Sequence, residues 1–321
     1  MEDFCTRVGL VPLETPTPFI VGPVNVFLLK GDPLTLIDTG TCTPEAETTL
    51  KDLLAQHGVQ FSDIQRIYLT HHHVDHTGLT RRIVAASGAE VWAHPHLARQ
   101  AELGHSHDET AHRFFLDILR EFGVPEDVSE QSMVLWDAFK SFAEDFKVDH
   151  VFSDGGMAGP FRTYFVPGHS ATDTLLIHES DGYSIGGDHI LESINPNPLL
   201  RRPEPGQPRP PALVEYQHSL NRSRALPLGR CFPGHGAPME DPNAVIDGIL
   251  SQHEKRNARV LAAVTPEGVS PYTLCRSFFP TLPLEHLYLG LSVAIGHMEL
   301  LEARGQLIHE HRDGIIHYQP A

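Results

Sequence analysis

The stretch Thr70-His71-His72-His73-Val74-Asp75-His76-Thr77-Gly78 concentrates five groups able to bind a transition metal: His71, His72, His73, Asp75 and His76. Imidazole nitrogen and carboxylate oxygen are common ligands of Zn²⁺ and related divalent ions. Packing does not explain so many coordinating groups in so few residues. His71, His73, Asp75 and His76 lie too close along the chain to fill one tetrahedral site without crowding, and they suit two neighbouring sites. Three further strand-end loops offer partners: His169, Asp188 and His235. A glycine precedes each of the two histidines, which lets the backbone turn tightly and leaves room for an ion.

These groups need a scaffold that brings distant loops together. Ile67-Tyr68-Leu69 reads as a buried strand that delivers the histidine loop. Apolar and β-branched runs predict further strands over 19–29, 34–38, 89–93, 148–152, 161–166, 173–178, 183–187 and 230–232. Asp38-Thr39-Gly40 ends the second of these in a sharp turn. Thr43-Pro44-Glu45 is a helix start, with a capping hydroxyl, proline at the first helical position and an acid in the first turn. That helix runs to about His57, and others are expected over 79–86, 212–224 and 242–264.

Between 95 and 146 the period becomes helical, with Phe114, Phe115, Ile118, Leu119 and Phe122 on one stripe. The block reads as an insertion that lies over the site or forms a subunit contact in a homo-oligomer. Seven prolines make 195–211 an extended loop. The tail reads as a separate unit: a short helix from Pro271, a longer one striped with Leu291, Ala294, Ile295, Met298 and Leu301, and two short strands around Arg312-Asp313-Gly314. Helices followed by a hairpin describe a winged helix. The division expected is a catalytic domain over 1–250 and a winged-helix-like domain over 251–321.

His71-x-His73-x-Asp75-His76, followed in order by His169, Asp188 and His235, resembles the metallo-β-lactamase superfamily. Leu36-Ile37-Asp38-Thr39-Gly40 matches another of its hallmark turns. The match covers about residues 18–240. It implies an α/β fold, a four-layer αβ/βα sandwich with metals at one edge. It further implies that His71, His73 and His169 hold one ion, that Asp75, His76 and His235 hold a second, and that Asp188 bridges them. Asp38 would orient ligands from behind. His72 occupies the variable position of the motif and is expected outside the ligand set. Tyr216-x-x-Ser219-Leu220 and the tail resemble the β-lactamase-like protein 2 and glyoxalase II-like branch, with Tyr216 either touching substrate or packing in the core.

Composition limits the alternatives. The chain has 321 residues, 40% of them apolar, and a formal charge of −17. No apolar run is long enough to span a membrane. The four cysteines show no C-x-x-C pairing, and the acidic start Met1-Glu2-Asp3 is not a signal peptide, so a cytoplasmic protein with reduced thiols is expected. A strongly acidic chain does not suit nucleic acid or anionic membrane. From Gln252 onward the cations Lys255, Arg256, Arg259, Arg276, Arg304 and Arg312 face Glu254, Glu267, Glu285, Glu299, Glu302, Glu310 and Asp313, so the tail lacks the positive face of a DNA reader. His94, His96, His105, His107 and His112 read as ordinary loop histidines, and Arg201 and Arg202 as solvated.

The expected cofactors are two divalent ions, Zn by default with Fe or Mn as alternatives. Such a pair supplies hydroxide near pH 7 and polarises the bond under attack. The expected enzyme is therefore a hydrolase in which that hydroxide attacks an ester, thioester or lactone carbonyl of a small molecule. Asp75 and Asp188 are its catalytic carboxylates. A phosphodiesterase or endoribonuclease is the alternative chemistry, and a non-catalytic metal-containing sensor or scaffold the alternative class. β-Lactamase activity fits less well, because two-metal enzymes of that type commonly use cysteine where this chain has Asp188.

Overall fold

The structure is a computed structural model that describes residues 2–103, 109–203 and 206–321. His105 and His107 lie outside the described residues. The chain divides into two compact units. The first comprises Met1–His107, Lys140–Pro196 and Ser223–Val245, and the second Asp108–Phe139, Asn197–Arg222 and Ile246–Ala321.

Two sheets build the first unit. Strands β1 (Leu10–Thr15), β2 (Val24–Leu29), β3 (Thr35–Ile37), β4 (Arg66–Tyr68), β5 (Glu90–Ala93) and β6 (His150–Val151) form one sheet in that order, antiparallel up to β3 and parallel beyond it. Strands β7 (Met157–Ala158), β8 (Phe161–Phe165), β9 (Thr174–His178), β10 (Ser184–Gly187) and β11 (Cys231–Pro233) form the other, with only the β10–β11 pair parallel.

Side chains alternate across a strand, so each sheet sorts its residues onto two faces. Phe27, Ile37 and Tyr68 pack with Phe161, Leu176, Ile185 and Phe232 between the sheets. Their neighbours Val26, Leu28, Leu36 and Ile67 point the other way, onto Leu50 and Leu54 of helix α2 (Pro44–Ala55) and Ile83 of helix α4 (Thr80–Ser87). On the far side of the second sheet, Val166, Leu175 and Ile177 pack with Leu226 and Leu228. This is the sandwich that the resemblance implies. The start of α2 is capped as expected: Thr43 Oγ1 accepts the Ala46 N–H at 3.1 Å, and Pro44 stands at the first helical position.

One strand expectation is corrected, and one strand is added. The run 19–29 is a strand only from Val24; ahead of it, Gly22 N–H bonds to Phe19 O at 3.1 Å and Thr17 Oγ1 to Gly22 O at 2.6 Å, which closes a turn. Ile20 at its tip is 80% exposed, so its apolar character does not report a buried strand. Strand β1 has no counterpart in the expectation; it contains Pro12, which lacks an N–H. The structure puts it at the sheet edge, where proline is tolerated.

The second unit is mainly helical. Ile118 and Leu119 of α6 (Glu109–Glu121), Phe122 just after it and Met133 of α7 (Glu126–Phe139) share one core with Val260 of α9 (Pro242–Ala263), Leu274 of α10 (Pro271–Phe278) and Leu291, Ile295 and Met298 of α11 (Leu287–Ala303). The hairpin of β12 (Leu307–Arg312) and β13 (Ile315–Pro320) adds Leu307, Ile316 and Tyr318. These compact units divide the chain elsewhere than at residue 250. Residues 108–139 and 197–222 belong with the tail, because the apolar stripe of α6 is buried against the C-terminal helices.

Candidate metal centre

The ligand candidates stand where strands end. Strand β3 runs into Asp38, β4 into the histidine loop and the short helix α3 (Val74–Thr77), β8 into His169, β10 into Asp188 and β11 into His235. Among the described residues, three groups emerge whose ligand atoms lie within 4.8 Å of one another: His71, His73 and His169; His71, His76 and Asp188; and Asp75, His76 and His235. Every residue expected to hold an ion is in one of them.

Asp38 organises the cluster from behind. Its left-handed backbone (φ 59°) is uncommon for a residue other than glycine. Its buried carboxylate accepts three hydrogen bonds: from Thr70 N–H at 2.8 Å, from Thr70 Oγ1–H at 2.7 Å and from His76 Nδ1–H at 2.8 Å. The Thr70 hydroxyl proton is thereby used, so its oxygen accepts from His71 Nδ1–H at 3.1 Å. His235 Nδ1–H donates to Pro23 O at 2.7 Å. In His71, His76 and His235 the outer nitrogen is thus engaged, and Nε2 is the atom turned inward. Partners of this kind fix the tautomer of metal-binding histidines.

The inward atoms crowd together. His71 Nε2 and His169 Nε2 lie 3.1 and 2.9 Å from His73 Nδ1. Tetrahedral ligands held about 2.0–2.1 Å from an ion stand roughly 3.3 Å apart, close to these separations. His76 Nε2, His235 Nε2 and Asp188 Oδ1 are buried without a hydrogen-bond partner. Such orphaned groups are costly unless something else satisfies them. A divalent cation would do so, and the residues fit one.

Asp188 sits in the middle. Its Oδ1 is 3.5 Å from His76 Nε2, and its Oδ2 is 3.5 Å from both His169 Nε2 and His235 Nε2. Asp75 Oδ2 is 3.3 Å from His235 Nε2. Burial pushes the Asp188 carboxyl up, but His76 and His235 outweigh it and hold it below the usual carboxylate range. Burial lowers His71 and His73 well below 6.5, reinforced by the neighbouring imidazoles. Burial also opposes charge on His76, but Asp188, Asp38 and Asp75 raise it well above that value. The carboxylates thus gather their negative charge on the His76 side of the cluster.

Gly234 is required by this packing. A Cβ there would lie 2.3 Å from Asp188 Oδ1 and 2.7 Å from His76 Cε1. His72 is outside the three groups, with Nδ1 3.1 Å from Thr172 Oγ1. Tyr216 belongs to the second unit, where it is fully buried and edge-on to His253 at 5.9 Å. The packing reading describes it, and the structure does not bring it among the ligand candidates. Sequence reasoning missed Thr70, Thr39 and Asn25. Thr39 N–H and Oγ1–H hold His76 O at 2.8 and 3.0 Å. Asn25 Nδ2–H donates to Pro233 O and Gly236 O at 3.0 and 2.8 Å, clamping the His235 loop. Small polar residues beside the motifs were the only signal for them.

The profile of the Metallo-beta-lactamase superfamily matches residues 19–235. The chain belongs to the metallo-β-lactamase superfamily. The Bacillus subtilis (strain 168) protein named "Probable metallo-hydrolase YqjP" is 34% identical over 307 residues, covering 93% of each chain. The "Beta-lactamase-like protein 2 homolog" of Drosophila melanogaster is 24% identical and covers 91% of this chain and 86% of its own. The "Atrochrysone carboxyl ACP thioesterase" of Aspergillus fumigatus is 24% identical over 75% of this chain and 59% of its own length. Among solved structures, a metallo-beta-lactamase family protein from Thermus thermophilus superposes with a TM-score of 0.82 at 25% identity, over 98% of this chain and 99% of that one. The chain is a metallo-hydrolase-type protein whose His/Asp cluster is a divalent-metal site.

Proposed function

We propose that the chain is a two-metal hydrolase acting on an ester, thioester or lactone carbonyl of a small molecule. Asp188 carries the reading: among the described residues it reaches toward His76 through one carboxylate oxygen and toward His169 and His235 through the other. His71, His73 and His169 would hold one ion, Asp75, His76 and His235 the other, and Asp188 both, with Zn as the expected metal and Fe or Mn as alternatives. When bound, such ions act as Lewis acids and bring the pKa of a bound water toward 7.

The chain's own residues prepare that chemistry. Asp38, Thr70 and the Pro23 carbonyl hold the outer ring nitrogens of His76, His71 and His235, so each ring turns Nε2 toward the place an ion would take. The buried Asp75 carboxylate, 3.3 Å from His235 Nε2, would orient an attacking water by accepting its hydrogen. Seven ligand groups contribute only two carboxylates. Two divalent ions would therefore leave net positive charge, which suits a transition state carrying an oxyanion.

Leaving-group chemistry favours the thioester or activated ester. A thiol of pKa about 8.5 departs as thiolate without strong acid assistance. The relative named as a carboxyl ACP thioesterase supports the same choice. The net charge of −17 opposes a long nucleic-acid substrate. The test is a panel of acyl thioesters, aryl esters, lactones, phosphodiesters and single-stranded RNA, run with and without chelator. Chelator-sensitive hydrolysis of thioester or ester, lost in His73→Ala, is expected. Cleavage confined to RNA or phosphodiesters, and lost in Asp75→Ala, would replace this reading with the nuclease one.

A further inference from the structure

The loop that carries His169 is held by a hydrogen-bond chain separate from the one centred on Asp38. Val166 N–H donates to Asp173 O at 2.9 Å and Gly168 N–H to Ser170 O at 2.9 Å, so 166–173 closes on itself with His169 within the turn. Inside it, the buried Asp173 carboxylate accepts Ser170 N–H at 2.8 Å and Ser170 Oγ–H at 2.6 Å. Ser170 has then given its only hydroxyl proton. Its oxygen accepts Thr172 N–H at 3.0 Å and lies 3.3 Å from Thr172 Oγ1, where the Thr172 hydroxyl donates. With that proton used, Thr172 Oγ1 accepts from His72 Nδ1–H at 3.1 Å. The direction is therefore set along the whole chain, from His72 through Thr172 and Ser170 to Asp173. Ser170, Thr172 and Asp173 are all nearly inaccessible to solvent, so these bonds do not compete with water.

His72 lies between His71 and His73, so the chain ties one ligand loop to the other. A single backbone bond, Thr174 N–H to Thr70 O at 2.9 Å, runs beside it. We propose that Thr172 and Asp173 are positioning residues that set His169 against His73 and so tune the affinity of the ion held by His71, His73 and His169, without acting on the Asp75–His76–His235 ion. His72, outside the ligand set, acts here as the anchor on the opposing loop. This inference rests on the two-ion reading above.

Zinc titration of the full-length protein against a chromophoric chelator tests it, because the two dissociation constants are resolved without any activity assay. Wild type is expected to bind two ions. In Thr172→Val, which keeps the shape and removes the hydroxyl, one constant rises about 10–100-fold and the other stays. Thr172→Ser restores it, and Asp173→Asn weakens the same ion by a smaller factor. Two ions in wild type with both constants shifted equally, or neither, in Thr172→Val and Asp173→Asn would overturn the positioning role. A wild type that binds fewer than two ions would instead overturn the two-ion reading itself.

Discussion

At the residue scale the centre depends on where protons are held. Asp38 takes hydrogen bonds from Thr70 and His76, and Thr70 in turn takes one from His71. Removing this carboxylate frees two imidazoles to adopt the wrong tautomer and leaves the Thr70 N–H buried without its acceptor. Asp38→Ala is expected to lower metal affinity by about 10–100-fold, measured by chelator competition. Unchanged affinity would show that the left-handed Asp38 serves only the turn. The ligand types were legible in the sequence because histidines and carboxylates at strand ends have few other uses. The supporting threonines and Asn25 were not, since a threonine at a strand end carries no mark of which neighbour it bonds.

At the element scale, α9 and α11 of the second unit bury two histidines. His297 Nδ1–H donates to Asn257 Oδ1 at 2.6 Å, and His253 faces His297 edge-on at 5.8 Å. Burial, with Arg256 nearby, lowers His253 to about 4; burial, with His253 itself, lowers His297 to about 2. Both are neutral when folded. Unfolding near pH 5 therefore takes up protons that the folded state refuses, so stability is complete above about pH 6.5 and falls as the pH drops toward the folded pKa values. The loss is on the order of 1–2 kcal/mol per histidine by pH 5. Urea unfolding at pH 7 and pH 5 should show a smaller pH dependence for His297→Asn than for wild type, and an equal dependence would refute the assignment. Elements of strong period or clear capping, such as α2 behind Thr43-Pro44, were legible in the sequence. Strand β1, interrupted by Pro12, gave no clear strand pattern, and the turn around Ile20 looked like strand because exposed and buried isoleucine read alike.

At the scale of the whole molecule, the sandwich and its edge site were legible because five motifs occur in order along the chain. The composition of the second unit was not. Helical periodicity marks an apolar stripe on α6, but nothing in the stripe names the surface that covers it. The structure assigns Ile118, Leu119, Phe122 and Met133 to the core that holds Leu274, Leu291 and Met298. A fragment of residues 251–321 therefore lacks a large part of its own core. It is expected to show no cooperative thermal transition, whereas a folded fragment with a sharp melt would restore the simpler division at residue 250.

The central claim is that one carboxylate, Asp188, joins two ion sites into a hydrolytic centre. Metal content and thioester hydrolysis, measured on the same preparations of wild type and Asp188→Ala, test it most directly. The account predicts about two divalent ions per chain in wild type, and in Asp188→Ala fewer ions together with a loss of hydrolysis of at least about 100-fold. Full hydrolytic activity in a metal-free Asp188→Ala protein would contradict it.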